Sequence, residues 1–340
     1  MQSAAPLPQS GNAKSRLLLV LSSLSGMQAV EDLIREKFVS DAALLSEIPE
    51  YLLNLGGKRM RPALTLLAAR TFGMPKPSQA LLDVAAGIEL IHMATLLHDD
   101  IIDKSPTRRH KESAFVKFGL ENTLLSGDFL LVRAFSLCAR LDSYIINETE
   151  SACIELTEGE ILEVPLHKQK HTLETSLTIA RKKTAALFRL SACSAAHLAG
   201  AGSAATAKMS EFGENLGVAF QILDDILDVT SNEDLLGKKS GLDLIERKPS
   251  VVNVLWLASG SPLAQKLTTA PGEKEEEFAQ QALSELRPGK VVREARELAL
   301  KYVEGASKAL SEAVKLAPKV ESSALEDLRA LIDYTTERVE

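Results

Sequence analysis

Two short stretches of the chain carry the same three acids. Leu96-Leu97-His98-Asp99-Asp100-Ile101-Ile102-Asp103 is the first, and Ile222-Leu223-Asp224-Asp225-Ile226-Leu227-Asp228 is the second. Both read Asp-Asp-x-x-Asp within a run of Leu and Ile. On a helix, positions i and i+4 share a face, so Asp99 projects with Asp103, and Asp224 with Asp228. Like charges at that spacing weaken a helix, and Asp is a mediocre helix former. A solvated acidic face or a helix cap would account for one copy but poorly for two. Carboxylates without His or Cys suit a hard cation, and Mg²⁺ takes one or two carboxylates together with waters and substrate phosphates. Asp99, Asp100, Asp103, Asp224, Asp225 and Asp228 are therefore the candidate metal set, with Mg²⁺ the expected ion.

Cations gather near these acids although the chain as a whole is acidic. Gly56-Gly57-Lys58-Arg59-Met60-Arg61-Pro62 is one group, and Arg108-Arg109-His110-Lys111 follows the first motif by a short loop. Lys182-Lys183-Thr184, Lys238-Lys239 and Arg247-Lys248 are the others. Arg forks bind phosphate through two bonds and Lys binds it as a point charge. Acids that hold Mg²⁺, flanked by Arg and Lys, describe a site for a diphosphate. Nucleic acid fits poorly, because aromatic residues do not interleave with the basic ones and the net charge is −7.

The elements that position these groups read as helices. Leu81, Val84, Ile88, Ile91, Thr95 and Asp99 trace one stripe in steps of three and four. The pattern recurs over Ser126–Asp142, Ser151–Val164, Leu173–Leu198, Lys208–Val229, Ser250–Ala258 and Val291–Val314. Strand signals are nearly absent. Pro106 sets the end of the first motif's helix near Asp103, where the helix dipole also favours a cation. The reading is one large all-α domain over residues 14–340, behind a disordered Ser/Ala/Pro/Gln-rich tail, Met1 to Ala13. Aromatic residues are only 4%, so the core must be aliphatic. Composition, 45% hydrophobic and 25% charged, excludes a disordered chain. No uninterrupted apolar run reaches the ~20 residues of a membrane span, so no transmembrane segment is expected. Cys138, Cys153 and Cys193 lack metal-ligand spacing and read as buried thiols of a reducing compartment, the cytoplasm.

In the order and spacing of its motifs the chain resembles the trans-polyprenyl diphosphate synthase family, from about Ser40 onward. The matching residues are 56–62, Ile91-His92 leading to Asp99–Asp103, Arg108-Arg109, Gly127-Asp128, Gly159-Glu160 and Lys183-Thr184. Phe220-Gln221 leading to Asp224–Asp228, then Lys238 and Lys248, complete the set. The resemblance implies an isoprenoid synthase-type helical bundle around a central cavity, usually a homodimer. It implies that Asp99, Asp103 and Asp224 bind Mg²⁺, with Asp100 and Asp228 in support. It gives Arg108, Lys183, Gln221 and Lys238 to the diphosphate of an allylic prenyl diphosphate, with Lys248 nearby. It gives Lys58, Arg61, His92 and Arg109 to isopentenyl diphosphate, and Thr184 to placing the reacting carbons. The chain departs from the family at His110 and Arg247, where Gly is usual, and at Glu158 and Ser176.

In that family the residues four and five before the first Asp gate chain growth, and an aromatic there stops it early. Here they are Thr95 and Ala94, both small, with Ile91 farther down. The expected product is longer than geranylgeranyl, a precursor of quinone side chains. The alternatives are a subunit of a heteromeric synthase, which would be expected to lose metal ligands, and a class I terpene cyclase. A cyclase normally has an Asn/Asp, Ser/Thr and Glu second motif in place of the repeat seen here.

Overall fold

The computed structural model describes residues 13–231 and 240–337. The proposed tail therefore lies outside the described residues except Ala13, which opens helix α1 (Ala13–Ser23). The helices that follow are α2 (Met27–Lys37), α3 (Ala43–Asn54), α4 (Met60–Thr71) and α5 (Gln79–Ile102). Next come α6 (Ala114–Phe118), α7 (Leu120–Cys138), α8 (Ser143–Leu162), α9 (Leu173–Ala180), α10 (Ala186–Leu198) and α11 (Ser203–Thr230). The chain ends through α12 (Leu242–Ile245), α13 (Val251–Ala258), α14 (Glu275–Leu286), α15 (Lys290–Leu316) and α16 (Ser322–Glu337). Among the described residues, strand pairing is confined to a ribbon of β1 (Thr107–Arg108) and β2 (Lys111–Glu112). The all-α reading of the sequence holds.

The core is aliphatic. Leu64, Leu67, Leu81, Ile88, Leu90 and Ile91 are fully buried and join α4 to α5. A second cluster, around Ile222, Ile226, Val252 and Trp256, joins α11 to α13, α14 and α15. Helix α5 is the spine of the first cluster. Among the described residues it is the one helix long and apolar enough to cross a membrane by length and composition. Its apolar window is 67% buried by neighbouring helices, as befits the central helix of a core. Glu89, His92 and His98 break the apolar run in sequence without breaking the helix.

One periodic segment is not a single α-helix. Residues Leu173–Leu198 divide into α9, a π-helical turn over Arg181–Ala185, and α10. The wider turn carries Lys183 and Thr184. It is packed tightly, because a Cβ on Gly217 of α11 would lie 2.4 Å from the Cα of Ala185. A π turn inserts no sequence signal of its own, which is why the 3.6-residue pattern passes over it.

Candidate active site

Helix α5 ends as its sequence dictates, with Asp103 as the C-cap, its N–H bonded to the Asp99 carbonyl. The three acids of this motif then part company. Asp100 faces inward, fully buried, and its carboxylate takes a two-pronged bond from Arg108: Nε to Oδ1 at 2.8 Å and Nη2 to Oδ1 at 2.7 Å, with Nε also 3.0 Å from Oδ2. Asp99 and Asp103 are half-buried, and Lys183 stands beside Asp99. Asp103 accepts from Lys248 Nζ at 2.8 Å, which brings the turn after α12 against the end of α5.

The second motif divides differently. Asp225 is buried, accepting from Gln221 Nε2 at 2.8 Å and from the Val251 N–H at 2.8 Å. Asp228 is buried too, and its Oδ2 accepts the Asp243 N–H at 3.2 Å. Asp224 alone of the three is half-buried. Asp100 and Asp225, both counted in the six-acid metal set, thus spend their oxygens on protein donors, and Asp228 commits one of its own. Asp99, Asp103 and Asp224 are the three that are not fully buried. Among the described residues no three acidic, His or Cys side chains converge closely enough to cage an ion alone. Three separated carboxylates fit an ion that completes its shell with substrate phosphate and water.

Two lysines stand beside the first motif. Lys183 Nζ lies 2.6 Å from Glu160 and 2.5 Å from Glu163, both on or just past the end of α8. Gly159 makes room for it, since a Cβ there would lie 2.8 Å from the Lys183 Cγ. Burial pulls the Lys183 ammonium down, but Glu163, Asp99 and Glu160 overcome that and leave it raised. Lys248 is likewise raised against its burial, by Glu163, Asp103, Glu246 and Asp243. Asp99 is pushed up to about 7: burial dominates, Lys183 opposes it, and Glu160 and Asp103 add to it. Thr184 donates to Gln221 Oε1 at 2.5 Å, so the π turn and α11 share one hydrogen-bonded chain that ends on Asp225.

The third group is basic. Arg61 lies over the Phe188 ring at 5.1 Å, and its Nε is buried with no hydrogen-bond partner. His92, two turns before Asp99 on α5, is held well below its usual pKa by burial and by Arg61, Arg108, Arg109 and Arg59. Lys58 donates to the Tyr334 hydroxyl and sits 4.6 Å from that ring's centre, so α16 closes over this corner. Arg109 and His110 form the turn of the β1–β2 ribbon, both with positive φ (52° and 63°). His110 therefore adopts the backbone that Gly in that place would favour.

Arg247, the other departure from Gly, is explained the same way. Its φ is 60°, so it adopts the left-handed geometry. Its guanidinium turns away from the acids, donating to the Leu244 carbonyl at 2.6 Å, pairing with Glu275 at 2.7 Å and covering Phe278. Lys248 keeps its place beside Asp103. Lys238 lies outside the described residues. Below Asp99, Thr95 is half-buried and Ala94 and Ile91 are buried on α5, with no aromatic on that stripe. Sequence reading missed Glu163, Glu246, Asp243 and Glu89, acids that face the basic groups; none belongs to a repeated motif.

An all-helical bundle whose first aspartate motif stands beside Lys183, Lys248 and Arg108 carries the carboxylates and cations that diphosphate chemistry calls for. The comparisons with known proteins agree. The polyprenyl synthetase family model matches residues 42–286, and the chain belongs to that family. It is 37% identical over 247 residues to the octaprenyl diphosphate synthase of Escherichia coli (strain K12), covering 72% of this chain and 76% of that one. It is 40% identical over 225 residues to the all-trans-nonaprenyl-diphosphate synthase (geranyl-diphosphate specific) of Rhodobacter capsulatus, covering 66% and 69%. A crystal structure of a polyprenyl synthase from Caulobacter crescentus, complexed with calcium and isoprenyl diphosphate, superposes with a TM-score of 0.87. It is 31% identical and covers 98% of this chain and 100% of that one.

Proposed function

We propose that this chain is a prenyltransferase that condenses isopentenyl diphosphate with an allylic prenyl diphosphate, building a trans-polyprenyl diphosphate longer than geranylgeranyl. The carrying observation is the end of α5, where Asp99 faces Lys183 and Asp103 accepts from Lys248, while Asp243, whose N–H bonds Asp228 of the second motif, also faces Lys248. Asp99, Asp103 and Asp224 would hold Mg²⁺. When bound, the ion neutralises charge building on the departing allylic diphosphate. Lys183, Gln221 and Arg108 face the same diphosphate, and Lys183 stays charged at any working pH given its raised pKa. Lys58, Arg61, His92 and Arg109 form the cradle for isopentenyl diphosphate, whose anion satisfies the orphaned Arg61 Nε. His92, kept neutral, offers one donor there without adding to the repulsion among the arginines. Thr184 on the π turn, held by Gln221, helps align the reacting carbons. The aliphatic wall of α5 excludes water from the allylic cation.

A long product is supported by small Ala94 and Thr95 and by relatives named for octaprenyl and nonaprenyl products. We also propose a homodimer. Leu125, Val132 and Phe135 on α7 and Ile146, Ile154 and Ile161 on α8 are exposed, each set at helical spacing for one face. We place the protein in the cytoplasm as one domain over residues 14–340; its three cysteines are unpaired thiols.

The test is product analysis. Purified chain, Mg²⁺, isopentenyl diphosphate and a farnesyl or geranylgeranyl diphosphate primer are incubated, the products dephosphorylated, and prenol lengths read by mass spectrometry. A ladder ending in one prenol longer than geranylgeraniol is expected. No elongation by folded protein from either primer would overturn the reading, and a cyclic hydrocarbon would replace it with a cyclase. Light scattering on the same sample checks the dimer, and a monomer mass would remove it.

A further inference from the structure

One buried carboxylate stands among the cations of the cradle and belongs to neither aspartate motif. Glu89 lies on α5, three residues before His92 and on the same face, and is 3% exposed. Burial raises its pKa, and Arg59, Arg61 and Arg109 each pull it back. Arg59 Nη1 reaches Glu89 Oε1 at 3.3 Å. The same guanidinium donates to the Leu53 carbonyl at 3.0 Å and to the Gly56 carbonyl at 3.5 Å, and its Nε is 3.6 Å from Glu31 at the rim. Arg59 is thus a bracket joining the end of α3, the Gly56-Gly57 turn and α5. Its backbone is left-handed (φ 49°), a strained geometry for a side-chain-bearing residue at the start of α4. The bracket sits between Lys58 and Arg61.

The crowding explains why an acid is needed. A Cβ on Gly57 would lie 2.8 Å from Arg59 Nη1 and 3.0 Å from Arg109 Nη1. Two guanidiniums therefore converge over one glycine, and burial followed by Arg59 and Arg108 lowers the Arg109 pKa. Like charges so placed splay apart unless an anion lies behind them.

We propose that Glu89 is a positioning residue for isopentenyl diphosphate, an internal counter-charge that holds Arg59 and thereby sets Lys58, Arg61 and Arg109 for the incoming anion. Glu89 itself touches no substrate. The inference rests on the assignment of the cradle to isopentenyl diphosphate.

Steady-state kinetics on the full chain, with each substrate varied in turn, test it. Glu89→Gln keeps the shape and removes the charge. It should raise KM for isopentenyl diphosphate about tenfold or more, with the allylic KM changed less than about twofold. Glu89→Asp should recover part of that loss. Arg59→Lys, which loses the fork, should give the same split, and the double variant Glu89→Gln/Arg59→Lys should be no worse than the worse single one. If Glu89→Gln does not fold, Arg59→Lys carries the test alone. An unchanged or lower KM for isopentenyl diphosphate in the folded variants, or an equal rise for both substrates, overturns the proposal. Lys58→Gln separates the two levels. If it raises that KM while Glu89→Gln and Arg59→Lys do not, the positioning role alone falls. If it leaves that KM unchanged, the cradle assignment falls and takes the inference with it.

Discussion

The two aspartate motifs spell the same pattern and are used in different ways. The first ends a helix. It gives one acid to the framework, Asp100 on Arg108, and turns Asp99 and Asp103 outward, where Lys183 and Lys248 face them. The second lies in the last turns of α11 and builds two acids into the protein. Asp225 receives the start of α13 through the Val251 N–H, and Asp228 receives the turn that opens α12 through the Asp243 N–H and, on its carbonyl, the Gly241 N–H at 2.8 Å. Asp224 is the half-buried acid of the three. A repeated motif thus does not mean repeated surroundings: Asp225 and Asp228 accept backbone N–H groups, whereas Asp99 and Asp103 face lysines.

Removing an outward acid is the harshest test of that division. Asp99→Ala or Asp224→Ala should cut turnover on the order of 10³-fold, because the charge that develops on the leaving diphosphate loses its metal support. Neither should lower the melting temperature by much, since both carboxylates are half-buried and burial disfavours the ionised form of Asp99. Initial rates and thermal melts on the same preparations check both halves. Retained activity in the two variants would break the assignment of the outward acids.

The wall beneath each motif differs as well. Four and five residues before Asp99 stand Thr95 and Ala94, whereas before Asp224 stand Phe220 and Ala219. Phe220 packs against Phe188 at 5.3 Å. Growth of the product along α5 predicts that Ala94→Phe moves the main product shorter by several isoprene units, while Phe220→Ala leaves product length nearly unchanged. Prenol mass spectra of the two variants decide it; a shift with Phe220→Ala and none with Ala94→Phe would place the growing chain along α11 instead.

How much of this the sequence disclosed follows from the kind of signal involved. Helix α5 and its end were legible because the apolar stripe is periodic and Pro106 stops it. Lys183 was legible as a motif residue, but not the π turn that carries it, because a turn wider by one residue depends on how closely α11 approaches. The sharing of roles within Asp-Asp-x-x-Asp was not legible at all. Asp225 bonds Val251, twenty-six positions later, and no local pattern encodes that meeting. Arg247 and His110 looked like losses of glycine; both keep the left-handed backbone, and Arg247 adds a buried tie to Glu275.

The built-in acids should show themselves in stability. Asp225→Ala strands the Val251 N–H and the Gln221 amide inside the protein, which costs about 1–3 kcal/mol for a buried group left unpaired. Asp103→Ala, at a half-buried helix end, should change stability by less than about 1 kcal/mol, the loss of a partly exposed ion pair. Denaturant unfolding of the two variants measures the difference directly. Equal losses would mean that the first motif is as structural as the second.

The smallest effect is also the one that reaches into the chemistry of the outward acids. Asp99 is raised from 3.8 to about 7 by burial, with Lys183 opposing. A raised acid favours the folded chain while protonated, so its contribution is fully present below pH 3.8 and is lost as pH rises through about 7. A divalent ion binds only the ionised carboxylate. Its affinity should therefore rise with pH up to about 7 and then level off, with each unit below that value costing up to about tenfold. Mn²⁺ in place of Mg²⁺, followed by electron paramagnetic resonance without substrate, reads this directly. Asp99→Asn removes the titrating group, so the variant should bind more weakly and lose the slope. A slope that survives in Asp99→Asn would assign the titration to another acid.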